Sequence, residues 1–250
     1  MLTQAQIQCI AQRNGVGMQV QERDYVQHLM LGLLYARSQE LALKGGMALR
    51  LVYGGQRYAE ELDFDGPEDA AALKALWREI VAGLENVGVV AEMRRPSGSD
   101  VGYTFDVGFR GPLYDGRNRS EGVARVDVNR RPEVVESCRE LVHPEYDDVR
   151  PFAVMVLTLE CLLADKMRAM LVRGRPRDLY DIWLLCHRGV RPDPALIERE
   201  LARYGMRWEP GVLGEALECV RDDWERDLRP LLPQFVSCED ALEGIAALLE

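Results

Sequence analysis

The chain has 250 residues (28.3 kDa), 47% hydrophobic content and a formal net charge of −10 with pI near 5.0. That allows one large domain or two small ones around a real core, and it excludes a protein that coats nucleic acid through a broad positive field. The longest apolar stretch, around Leu29 to Ala36, is far shorter than the roughly 18 residues a bilayer span needs. The amino-terminal residues are polar, with no basic-then-apolar signal pattern, so a cytoplasmic location is expected.

Thr3 with Gln6 predicts a capped first helix that Asn14-Gly15 closes, and a longer apolar-periodic helix runs from about Gln19 to Arg37. Leu41-Ala42-Leu43 reads as a short buried strand leading through Gly45-Gly46 into a helix from Met47 to Tyr53, ended by Gly54-Gly55. Glu61 to Asp65 forms a second strand. Helical spacing follows from Pro67 to Val87, with Leu73, Leu76, Trp77, Ile80 and Leu84 on one face. Val87 to Met93, Tyr103 to Phe109 and Val123 to Asn129 are β-like, which predicts a mixed sheet of about five strands.

From about Thr158 the pattern is helical: Leu159 to Val172, Arg177 to His187, Pro194 to Tyr204, Gly211 to Asp227 and Cys238 to Leu249. The expected class is therefore α+β: a mixed sheet flanked by helices over residues 1–150 and a helical domain over 151–250. No internal repeat or low-complexity linker separates the two.

The residues with chemical potential begin at the glycine turn. Adjacent glycines permit positive φ and close approach of a phosphate to backbone N–H groups at a helix start, with Lys44, Arg50 and Arg57 nearby in sequence. On an extended strand Glu61, Asp63 and Asp65 point the same way, an arrangement that is unfavourable without solvent or a divalent cation against it. Oxygen-rich, partly open sites suit Mg²⁺.

Asp127 interrupts an apolar strand, with Val126 and Val128 facing the core and Arg125, Asp127 and Asn129 facing away. If this strand lies beside the one carrying Glu61 and Asp63, the three carboxylates converge. If it does not, Asp127 is a surface residue paired with Arg125 or Arg57.

A zinc site is not expected, because Cys9, Cys138, Cys161, Cys186, Cys219 and Cys238 form no C-x-x-C pair and His28, His143 and His187 are not spaced as ligands. Arg94, Arg95, Arg110, Arg117, Arg119, Arg125, Arg130 and Arg131 form a diffuse basic cluster diluted by acids. Lysine occurs only at Lys44, Lys74 and Lys166, and two of these three fall in the stretches singled out on other grounds. A compact ammonium rather than a guanidinium is therefore indicated there.

In the helical half, Lys166, Met170 and Arg173 share a helix face, and Arg177, Asp178 and Asp181 open the next helix. Taken alone, those acids are also ordinary helix-start residues favoured by the macrodipole.

Lys44-Gly45-Gly46-Met47-Ala48-Leu49-Arg50 and Arg57-Tyr58-Ala59-Glu60-Glu61-Leu62-Asp63-Phe64, followed by Glu160, Asp165-Lys166, Ala169, Arg173 and Arg177-Asp178-Leu179-Tyr180-Asp181, resemble the AbiEii/AbiGii-type nucleotidyltransferase toxins. The resemblance spans about residues 40 to 187. It implies a DNA-polymerase-β-like nucleotidyltransferase core with a helical C-terminal half that completes the site. It further implies Mg²⁺ (or Mn²⁺)-dependent transfer of a nucleotide from an NTP to an acceptor, an RNA such as a tRNA 3′ end, and a cognate antitoxin.

By the same resemblance, Gly45 and Gly46 would cradle the triphosphate, while Lys44, Arg50, Arg57, Arg173 and Asp178 belong to the nucleotide-binding set. Glu61, Asp63 and Asp127 would hold metal, and Lys166 with Asp181 would complete the catalytic set. The chain departs from the family at Ala59-Glu60-Glu61-Leu62-Asp63, where the pattern reads Ser-Glu-Asp-Leu-Asp, and Asp65 is the residue that could compensate for Glu61. This departure keeps two other readings open: a member that binds nucleotide or partner with weakened turnover, and a small-molecule nucleotidyltransferase.

Overall fold

A computed structural model describes residues 1–67, 69–99, 101–130, 136–208 and 220–246. The chain divides into two compact units, Met1–Val156 and Leu157–Glu250.

The first unit opens with α1 (Gln4–Asn14). Thr3 and Gln6 form a reciprocal capping box, and Gly15 closes the helix in the left-handed region at φ 66°. α2 (Met18–Tyr35) follows, then β1 (Ala42–Lys44), α3 (Gly45–Leu51), β2 (Glu61–Gly66) and α4 (Ala70–Gly83). α4 starts at an Asp69 side chain that accepts from the backbone N–H groups of Ala71 and Ala72. β3 (Val90–Ser99), β4 (Gly102–Arg110), β5 (Gly122–Arg130), β6 (Ser137–Val142) and β7 (Phe152–Leu157) complete the sheet.

Among the described residues the sheet has seven strands in the order β3-β4-β5-β2-β1-β7-β6, against the five expected. β6 and β7 are the additions. β7 is a continuous apolar run, Phe152-Ala153-Val154-Met155-Val156-Leu157, which lacks the alternation that marks a half-buried strand. It pairs in parallel with β1, and the Tyr35 hydroxyl donates to the carbonyls of Leu41 and Met155 at 2.9 Å each. Because β7 belongs to the sheet, the first unit runs past residue 150.

One sheet face is apolar. Leu62, Phe64, Phe105, Val126 and Val128 are buried there, and Trp77 of α4 packs edge-on against Phe105 with ring centroids 5.4 Å apart. Strand alternation therefore sends Glu61, Asp63, Arg125 and Asp127 to the opposite face.

In the second unit, α5 (Leu159–Arg173), α6 (Pro176–His187), α7 (Pro194–Ala202), α8 (Trp224–Leu228) and α9 (Cys238–Ala246) are helical. Residues 220–223 form turns where a helix from Gly211 to Asp227 was expected. Gly211 to Cys219, the end of the last expected helix from 247, and Arg131 lie outside the described residues. Thr158 caps α5, Gly174 ends it at φ 55°, and Pro176 starts α6. Among the described residues no helix is long and apolar enough to cross a membrane.

Candidate active site

β2 and β5 are adjacent and parallel, and their register sets Asp63 opposite Asp127 and Glu61 opposite Arg125. Glu61, Asp63 and Asp127, all partly exposed, each present a carboxylate oxygen within 4.8 Å of the others. At that spacing each pair of ionised groups repels by at least about 3 kcal/mol for an effective dielectric constant near 20. A divalent cation offsets that repulsion. In a Mg²⁺ octahedron with arms of about 2.0–2.1 Å, adjacent ligand oxygens are roughly 2.9 Å apart and opposite ones roughly 4 Å, so these three side chains would draw together to share one ion.

The glycines stand where they do because charged side chains lie on the backbone. Gly45 has φ 66°, and a Cβ there would collide with the Asp63 carboxylate. A Cβ on Gly46 would collide with the guanidinium of Arg57, which is buried and donates through Nη1 to the Tyr58 carbonyl at 3.1 Å. α3 therefore begins at Gly45 itself, two residues earlier than expected.

Lys44 is opposite Asp63 in the antiparallel β1–β2 pair, and its ammonium reaches diagonally to Asp65 at 2.9 Å, with both groups buried. Asp65 is thus the counter-ion of Lys44 and is not part of the carboxylate cluster, which corrects its expected role as a spare metal ligand.

Arg50 joins a second network. Its guanidinium lies 3.4 Å from the centroid of the Tyr58 ring, and its Nε donates to Asp24 at 2.6 Å, where it belongs to a buried network. Asp24 is fully buried and also accepts from the Tyr146 hydroxyl at 2.6 Å. Burial alone would raise the Asp24 carboxyl, but the His28 ring, Arg50 and Tyr146 hold it below the ordinary value. Of the partners of Asp24, only His28 lies within reach on α2, at i,i+4; Arg50 comes from α3 and Tyr146 from the segment before β7, which no local pattern links to it.

Four of the middle arginines are dispersed into ion pairs. Arg94 and Arg110 share Glu121 at 2.7 and 2.9 Å, and Arg95 pairs with Asp106. Arg125 donates through Nε to Asp127 at 3.0 Å and through Nη2 to the Thr104 hydroxyl at 3.2 Å. The surface pairing expected as an alternative for Asp127 thus coexists with its place in the carboxylate cluster.

In the helical unit, Lys166 contacts Asp181 at 2.7 Å and Asp178 at 3.3 Å. Arg173 donates to both Asp178 oxygens at 2.8 Å. The two acids, both buried, are held by α6 and the two cations by α5, so the cluster ties the helix pair together. Burial would push the Asp178 carboxyl up, yet Lys166 and Arg173 bring it down to about 2.

The family model described as nucleotidyl transferase AbiEii toxin, type IV TA system, matches residues 32–246. No protein of curated function matches the sequence. Among solved structures, JHP933 from Helicobacter pylori is similar at TM-score 0.63 and 17% identity, covering 94% of this chain and 91% of that one. The nucleotidyltransferase toxin MenT4 from Mycobacterium tuberculosis H37Rv is similar at TM-score 0.62 and 19% identity, covering 99% of each.

Proposed function

Since the chain belongs to the AbiEii family, the nucleotidyltransferase toxins of type IV toxin–antitoxin systems, we propose that it transfers a nucleotide from an NTP to an RNA acceptor in the cytoplasm, dependent on Mg²⁺ or Mn²⁺. The observation that carries this reading is the convergence of Glu61, Asp63 and Asp127 beside the Gly45 turn. A divalent cation held by these three residues would supply positive charge to the phosphates in the transition state.

The chain's own residues have distinct parts. Gly45 and Gly46 bring bare backbone near the carboxylates, where N–H groups can meet a triphosphate. Asp127 is the carboxylate for orienting an acceptor hydroxyl and accepting its proton as the oxygen attacks the α-phosphorus and pyrophosphate leaves. Lys44 is held by Asp65 and Arg57 covers Gly46, so both set the turn's electrostatics. Lys166, Arg173, Asp178 and Asp181 form the second charged cluster, and by family resemblance they serve nucleotide binding and catalysis. Such catalysis is chiefly positional and electrostatic.

Incubation with labelled NTPs and total RNA tests the reading. Incorporation into RNA that is lost in Asp63→Ala supports it. Intact incorporation in that variant removes the mechanism, and label transferred only to protein or to a small molecule replaces the acceptor.

A further inference from the structure

A largely exposed cation sits on the carboxylate face. Arg125 is opposite Glu61 in the β2–β5 register and two residues before Asp127 on the same strand, so all three side chains leave the same face. Its Nε contacts Asp127 Oδ2 at 3.0 Å and its Nη2 contacts Thr104 Oγ1 at 3.2 Å. Thr104 is itself opposite Asp127 in the β4–β5 pair, so the guanidinium spans two neighbouring strands while remaining 48% exposed along its side chain. Lys44 and Arg57, by contrast, are buried.

Resting on the metal-dependent reading above, we propose that Arg125 is a built-in competitor for the metal ligand Asp127. With no cation bound, the guanidinium neutralises part of the carboxylate cluster and holds Asp127 against Thr104. A divalent cation that takes Asp127 Oδ2 displaces that contact, and one that takes the other oxygen still withdraws the carboxylate's charge from the guanidinium. Displacement leaves a fixed positive charge with freed N–H donors at the edge of the site, where phosphate oxygens are its natural acceptors. Arg125 is in this sense a positioning residue that sets the threshold for cation binding and couples it to the arrival of a phosphate-bearing ligand.

The test is direct Mn²⁺ binding, read by electron paramagnetic resonance or calorimetry without nucleotide, on the full chain and on Arg125→Gln, Arg125→Lys, Asp127→Asn and Arg125→Gln/Asp127→Asn. Arg125→Gln is expected to bind Mn²⁺ about 5- to 30-fold more tightly than the parent, and Arg125→Lys to fall between them. The gain should vanish when Arg125→Gln is made in the Asp127→Asn background. Arg229→Gln, which removes an equal charge from the Glu225 pair of the helical unit, should leave the affinity unchanged. Equal or weaker Mn²⁺ binding by Arg125→Gln with an unaltered circular dichroism spectrum overturns the proposal while leaving the metal site standing. Failure of the parent and of every variant to bind Mn²⁺ overturns both.

Discussion

Asp63 on β2 and Asp127 on β5 are register partners in a parallel strand pair, so two carboxylates distant in sequence project from the same face of the sheet. Their proximity is costly unless a cation joins them, and this makes them the first residues to test.

Replacing either acid by asparagine removes a ligand charge with little change in shape. Each substitution is expected to lower nucleotidyl transfer by about 10²- to 10³-fold, the scale of losing a preorganised electrostatic group. The double variant should be little worse than either single one, because residues acting as a unit are not additive. Single-turnover rates with labelled NTP measure this, and thermal melting of the metal-free protein should show that the fold survives.

Gly45 is held at φ 66° with the Asp63 carboxylate against its Cα. Gly45→Ala should destabilise the first unit by about 1–2 kcal/mol through left-handed strain and weaken Mn²⁺ binding by pushing Asp63 aside. Gly174 ends α5 at φ 55°, where an added Cβ meets only the Met170 carbonyl at 3.7 Å. Gly174→Ala should carry a similar stability cost without changing metal affinity, which separates strain from displacement of the ligand.

Asp24 and Arg50 form a buried pair completed by Tyr146. Asp24→Ala leaves the guanidinium only the longer contact to Glu145 at 3.5 Å, and a loss of about 3 kcal/mol, the lower end for a broken buried pair, is expected. Urea denaturation followed by near-ultraviolet circular dichroism will report it. Mn²⁺ affinity measured below the transition should change little, because Arg50 is engaged in this network and not with the carboxylate cluster.

Asp178 titrates at about 2 in the folded chain against roughly 3.9 for a free aspartate. A depressed folded value means the unfolded chain binds the proton more readily, so stability is present above about pH 4 and is lost as pH falls toward 2. The contribution is on the order of 2 kcal/mol. Lys166→Met removes the cation between Asp178 and Asp181, so the helical unit should lose stability at neutral pH and the further loss between pH 4 and 2 should shrink. A pH titration of helical ellipticity measures both effects.

Glu61 occupies the position where the family pattern has aspartate. Glu61→Asp should keep cation binding and raise the Mg²⁺-supported rate several-fold, because Mg²⁺ holds its ligands to a narrow geometry. Rates with Mg²⁺ and with the more tolerant Mn²⁺, compared in both proteins, check this.

Local chemistry determined a large part of this protein. The Thr3–Gln6 cap, the Gly45-Gly46 turn, the stripe centred on Trp77, and the alternation that turns Asp63 and Asp127 away from the core are properties of segments only a few residues long. Their geometry follows from backbone preference and from strand or helix period. What remained undecided was which segments become neighbours.

Strand pairing alone placed Asp127 beside Asp63, and the same pairing assigned Asp65 to Lys44. Packing of α2 against its surroundings buried Asp24, which had to find a cation and found Arg50. β7 has no alternation, and only its seat beside β1 makes it a strand. Side-chain periodicity is encoded within a segment, whereas charge compensation depends on whichever groups folding desolvates together. For that reason the carboxylates and the Arg125–Asp127 pairing were legible in the chain, and the cations that answer Asp65 and Asp24 became so only in three dimensions.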